Sequence, residues 1–217
     1  PYAYDAAEVK AALDATGLTM LGLNTVRGNL AANENGLAAL PGREDEARAG
    51  IDQALRYAAA INTPNIHVMA GFAEGSTAED CFIENLRYAT SQQQHVTFRI
   101  EPLNHYDAPG SFWNSTDQAR RIINAVAAPN LKLMFDCYHI QILEGDLTRR
   151  LQANIDIIGH IQFAGVPSRG RPDRGEINYQ YIFKQIADMG YTAPLGAEYK
   201  PENGDTDGSL GWKNRLG

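Results

Sequence analysis

The sequence is short of cysteine, histidine, positive charge and long apolar runs, and each shortage excludes something. Two cysteines in 217 residues, Cys81 and Cys137, supply no disulfide framework and fit a reducing compartment, the cytoplasm. No apolar run nears the roughly 20 residues of a membrane span. The opening Pro1-Tyr2-Ala3-Tyr4-Asp5 carries no initiator Met and does not read as a signal peptide. Lysine and arginine number 19 against 26 acidic residues, a net charge of −7. Nucleic acid and anionic membrane both require clustered Lys and Arg, so neither is expected as a partner. Five histidines, together with the −7 charge, speak against a nuclease that needs several histidine ligands and a basic groove. No fixed short repeat, low-complexity tract or linker appears, so residues 1–217 read as one domain.

What the chain has is alternation. Strand-like runs fall near residues 18–23, 65–70, 96–100, 131–135, 158–161 and 194–197, with amphipathic segments between them. Asp5 and Gly17 bracket a helix over 6–15. A second helix over 44–61 carries Ile51, Ala54, Leu55, Ala58 and Ile61 at helical spacing. Ser76-Thr77-Ala78-Glu79 predicts a capping box for a helix to about 93, and Ser115 opens another that stops before Pro129. Residues 146–155 predict a short helix, and Asn178 caps one ended by Gly190. A polar, glycine-bearing loop over 27–41 is long enough to suggest function, and a second loop, 165–175, is rich in Gly, Pro and Arg. Strands alternating with helices imply a parallel sheet. A closed (β/α)₈ barrel has eight strands, so about six βα units lead us to expect that the first two strands and one helix are missing, an N-terminally incomplete barrel. A six-stranded open sheet is the alternative, and it would leave two edges unpaired.

Four of the runs end on oxygen-bearing side chains: Glu101, Asp136, Gln162 and Glu198, spaced 35, 26 and 36 residues apart. Residues two apart on a strand share a face. Arg99 with Glu101, Met134 with Asp136, His160 with Gln162, and Gly196 with Glu198 therefore point inward, while Phe98, Ile100, Leu133, Phe135, Ile161 and Phe163 pack outward against helices. Three acids and an amide meeting at the strand ends require a compensating cation. Oxygen donors without cysteine select Mg²⁺ or Mn²⁺. Two glutamates beside a substrate whose carbonyl such an ion polarises can each move a proton, which is the equipment for exchanging an α-hydroxy aldehyde with an α-hydroxy ketone.

Other residues carry two readings. His67 reads as core or wall, His160 as core histidine or as an orienter of a ligand. Arg99 reads as a neutraliser of acids lower in the barrel. His139, three residues after Asp136, is placed to touch a substrate, and Asp107 and His105 in the loop after Glu101 either bind substrate or are simply solvated, as loop acids usually are. Arg174 and Lys200 are either solvated or available to a substrate carboxylate.

The ordered set Ile100-Glu101-Pro102-Leu103-Asn104, Phe135-Asp136-Cys137-Tyr138-His139, Glu144-Gly145-Asp146-Leu147, Gly159-His160-Ile161-Gln162, Gly175-Glu176-Ile177-Asn178-Tyr179 and Glu198-Tyr199-Lys200-Pro201 resembles the hydroxypyruvate isomerase family, one of the xylose isomerase-like TIM barrels. The likeness runs nearly the whole length. It implies that Glu101, Asp136, Gln162 and Glu198 hold the metal, that Glu101 and Glu198 are the acid/base pair, and that His139 contacts substrate oxygens. It implies a short hydroxy or keto acid as substrate, hydroxypyruvate or a 2-oxo-tetronate, and assembly into homo-oligomers. Keto-sugar 3-epimerases on the same barrel typically carry histidine where Gln162 stands. A sugar-acid-binding remnant without activity is the non-enzymatic alternative.

Overall fold

The computed structural model describes residues 1–216 and separates into two compact units. The first comprises Pro1–Glu101, Ala108–Phe112 and Arg121–Lys132. The second comprises Pro102–Asp107, Trp113–Arg120 and the chain from Leu133 on.

In the first unit, helix α1 (Ala6–Thr16) is capped by the Asp5 carboxylate, which accepts from Ala7 N, and ended by Gly17 in the left-handed region, both as the sequence predicts. Strand β1 is only Leu23–Asn24, shorter than the expected run over 18–23. Leu18 is 67% exposed there, and the sheet's pairing on this side begins only at Leu23. Helix α2 (Glu44–Ala60) buries Ile51, Ala54 and Ala58, the spacing that identifies it. Strand β2 (Asn65–His67) leads to helix α3 (Gly75–Gln92). The predicted capping box is not formed: α3 starts at Gly75, so Ser76 already lies inside the first turn, and the N-cap Glu74 makes no side-chain cap bond. Strand β3 (Thr97–Ile100) follows. The three strands are parallel, with Ile66 opposite both Leu23 and Phe98, and Phe98 N donates to Asn130 O (2.8 Å) where β4 (Leu131–Asp136) begins. Ile51, Ile66, Phe82, Leu86, Phe98 and Ile100 are fully buried, each contributing about 1.5–3 kcal/mol of transfer free energy.

Helix α4 (Thr116–Val126) opens as predicted, with Gln118 N donating to Ser115 Oγ (3.1 Å). In the second unit β4, β5 (Ile158–Phe163) and β6 (Leu195–Ala197) are parallel, and the six strands follow chain order across the sheet. A helix the sequence reading lacks, α5 (Cys137–Leu143), springs directly from β4. Asp136 both ends that strand and caps this helix, accepting from Tyr138 N (2.9 Å). Helices α6 (Leu147–Asn154) and α7 (Tyr179–Asp188) complete the layer, α7 capped by Asn178 as expected. Phe163, Tyr179, Phe183 and Trp212 pack ring against ring at 4.8–5.5 Å and seat β5 on α7. The Tyr179 hydroxyl donates to Ala164 O (2.7 Å) and accepts from Ala164 N (3.2 Å), pinning the chain two residues beyond Gln162. Among the described residues no helix is long and apolar enough to cross a membrane.

Candidate active site

Strand register places the candidate ligands. Asp136 sits directly opposite Gln162, and Gln162 opposite Gly196, two residues before Glu198. Glu198 N donates to Phe163 O (3.1 Å), so the carboxyl ends of β4, β5 and β6 present three oxygen-bearing side chains in a row. A Cβ at Gly196 would fall 2.8 Å from His160 Nε2 and 3.2 Å from the Gln162 side chain, so a larger residue there would push these two side chains aside. Asp136 is fully buried. Its Oδ1 caps α5, but its Oδ2 accepts no hydrogen bond, and neither does the buried Oε1 of Gln162 beside it. Such vacancies cost about 1–3 kcal/mol each, and a bound cation would satisfy both. Burial, and then the Glu198 charge, push the Asp136 carboxyl up to about 7.

His139 lies one turn along α5 and is buried. The Asn104 backbone N–H (3.0 Å) and side-chain amide (2.8 Å) both donate to its Nδ1. The neutral ring therefore carries its proton on Nε2, which faces Asp136 Oδ2 at 3.8 Å. Asp136 and His139 form a buried carboxylate–histidine pair of the kind that holds cations or donates to a ligand oxygen.

One residue of this site escaped the sequence. Arg169 hydrogen-bonds Glu198 Oε2 (2.5 Å) and Asp107 Oδ2 (3.4 Å), lies 3.7 Å from Asp136 Oδ2, and rests 5.1 Å over the Tyr138 ring. It is the cation that offsets three acids. Burial alone would raise the Asp107 carboxyl, but hydrogen bonds from Tyr138 and Asn104 and the Arg169 charge leave it below its ordinary range. Of the arginines in the 165–175 loop, the sequence points to Arg174, which instead pairs with Glu202 at the surface, and Arg171 pairs with Asp173 (2.8 Å). Lys200 is exposed, its backbone N–H bonded to Arg169 O (2.7 Å). Removing the cation with Arg169→Met is expected to destabilise the ion-free protein by about 1.5–3 kcal/mol, since hydrogen bonds to charged groups are worth that much. Calorimetric melting should show a fall of a few degrees that added Mn²⁺ reverses.

In the first unit, Glu101 follows β3 directly and is buried. His67 Nδ1 lies 3.8 Å from Glu101 Oε2 and 3.3 Å from Asn24 Oδ1. Burial, and then the Arg99 charge, lower the His67 pKa to about 4, so this ring is neutral at physiological pH.

A parallel sheet of βα units with acids and an amide at the carboxyl ends of successive strands defines an α/β enzyme of the barrel class. Residues 1–216 match the family described as xylose isomerase-like TIM barrel. The chain is 48% identical to the 2-oxo-tetronate isomerase of Cupriavidus necator, over 98% of its own length and 84% of the relative's. It is 40% identical to the hydroxypyruvate isomerase of Escherichia coli, again over 98% and 84%. A solved structure from Brucella melitensis, described as an AP endonuclease of family 2, superposes with a TM-score of 0.95 at 39% identity, covering 99% of this chain and 85% of that one. The chain belongs to the xylose isomerase-like TIM barrel family, and it is an isomerase of the hydroxypyruvate isomerase kind.

Proposed function

We propose that this isomerase is metal-dependent and interconverts hydroxypyruvate with tartronate semialdehyde, or acts on a close relative such as a 2-oxo-tetronate, in the cytoplasm. One observation supports the ion above all: Asp136 Oδ2 and Gln162 Oε1 are buried at adjacent strand ends and accept no hydrogen bond. Glu101, Asp136, Gln162 and Glu198 would hold Mg²⁺ or Mn²⁺, hard cations suited to oxygen donors. The ion would polarise the substrate carbonyl and so acidify the neighbouring C–H. One of Glu101 and Glu198, ionised, would take the proton from the hydroxylated carbon, giving an enediolate; the other, protonated, would deliver its own proton to the adjacent carbon, while the hydroxyl proton passes between the two substrate oxygens. The His139 Nε2–H, its tautomer set by Asn104, donates to a substrate oxygen. Arg169 is the cation nearest these acids in the second unit and suits a substrate carboxylate better than Arg174, which Glu202 engages, or the exposed Lys200; Asp107 holds Arg169 in place.

The net charge of −7 opposes a DNA-directed reading, because phosphate backbones are bound by neutralising cations. Titration calorimetry with Mn²⁺ tests the ion directly. At about a hundredfold excess over Kd, binding should add about 2.7 kcal/mol of stability and raise Tm by roughly 5–10 °C. Chelation should abolish turnover of hydroxypyruvate, and Mn²⁺ should restore it. A chain that binds no divalent ion yet turns over the keto acid would sink the proposal.

A further inference from the structure

A row of polar side chains crosses the first unit at one register level. Asn24 pairs with His67 across β1 and β2, and His67 with Arg99 across β2 and β3, so all three project to the same side of the sheet. Glu101 lies two residues beyond Arg99 and shares that side. The His67 backbone is fixed on both flanks, where Thr25 N donates to His67 O (2.9 Å) and Val68 N to Arg99 O (2.9 Å). The residue is buried, with its side chain 8% exposed. Burying an imidazole costs free energy that an aliphatic side chain would not, so its nitrogen must find compensation. The atom that finds it is Nδ1, within hydrogen-bond distance of Asn24 Oδ1 (3.3 Å), while Glu101 Oε2 stands 3.8 Å away, close enough for electrostatic attraction and a short approach from a hydrogen bond. A nitrogen facing two oxygen acceptors carries the proton.

We propose that His67, aimed by Asn24, is a positioning residue for Glu101: its Nδ1–H holds the Oε2 edge of the carboxylate and thereby sets the rotamer in which Glu101 meets the metal ion and the substrate. The inference rests on the function proposed above and names a residue that reading does not use. Outer hydrogen-bond partners of this type govern how well a ligating side chain is presented, and losing one weakens ion binding or activity about 10–100-fold.

The test uses the whole chain and reads Mn²⁺ affinity by calorimetry alongside kcat and KM for hydroxypyruvate. His67→Leu removes the donor and is expected to weaken Mn²⁺ binding at least tenfold and to lower kcat with little change in KM. His67→Asn places an amide nitrogen where Nδ1 stood and is expected to keep affinity within about threefold. Asn24→Ala leaves the ring without its second anchor and should produce an intermediate loss; it carries the test if His67→Leu does not fold. Equal losses in the Leu and Asn variants would show a packing role and overturn the proposal. So would unchanged affinity in His67→Leu, or in Asn24→Ala should that variant have to stand in for it. A wild-type chain that binds no ion would be a different result, removing the metal reading itself and this one with it.

Discussion

Asp136→Asn is expected to make the ion-free protein more stable while destroying its ion binding and turnover. Asp136 is fully buried, and its carboxyl is pushed up to about 7 by burial and by the Glu198 charge. The unfolded chain ionises the same group near 4. Between about pH 4 and pH 7 the folded state therefore binds more protons than the unfolded state, and wild-type stability falls as pH rises through that window. Removing a buried charge of this kind is expected to gain about 1–3 kcal/mol at and above neutrality. Asparagine keeps the Oδ1 acceptor that caps α5 for Tyr138 N, so the helix start survives. Melting at pH 7.5 in chelator should show the variant several degrees above wild type. That margin should shrink on acidification and vanish near pH 4. With Mn²⁺ added the order should reverse, because only wild type gains from the ion. A variant that melts below ion-free wild type at pH 7.5, or that binds Mn²⁺ normally, would show that Asp136 is not the strained carboxylate of an ion site.

That conflict at Asp136 also shows what the sequence could reveal and what it could not. The strand ends were legible because four apolar runs stop on Glu101, Asp136, Gln162 and Glu198 at intervals of one βα unit. The helix caps at Asp5, Ser115 and Asn178 were legible because a short polar side chain before an amphipathic run satisfies open backbone donors. Helix α5 was not, because Asp136 does two jobs: the residue that ends the strand also starts the helix, leaving no loop between them. The capping box at Ser76 failed because the helix begins at Gly75, two residues before the Thr77 start that a Ser76 cap requires. Arg169 was hidden among Arg169, Arg171 and Arg174 in one glycine- and proline-bearing loop. Composition cannot rank those three. Their partners can: Asp173 takes Arg171, Glu202 takes Arg174, and Arg169 alone of them reaches the acids at the strand ends. His67 read as wall because nothing local in Asn65-Ile66-His67 reveals that Asn24 and Glu101 flank it; register supplies that.

Glu198→Gln is expected to separate ion binding from proton transfer. An amide oxygen can still ligate, as Gln162 is proposed to do two strand positions away, so the variant should retain Mn²⁺ with an affinity loss of about tenfold at most. It cannot accept or return a proton. General acid–base catalysis contributes about 10²–10⁴-fold, so kcat should fall by that factor while the ion stays bound. The Arg169 contact changes as well, since Glu198 Oε2 accepts its guanidinium at 2.5 Å. A neutral amide weakens that pair, which leaves Arg169 to Asp107 and Asp136 and is expected to cost little fold stability because Glu198 is half exposed. The decisive measurement runs the reaction in deuterated solvent and follows label entering the keto acid as well as product. If Glu198 is the residue that abstracts, exchange into substrate and turnover fall together. If it is the one that mediates return, exchange into substrate persists through Glu101 while product formation falls. Full exchange and full turnover in Glu198→Gln would remove Glu198 from the chemistry and leave it an ion ligand alone.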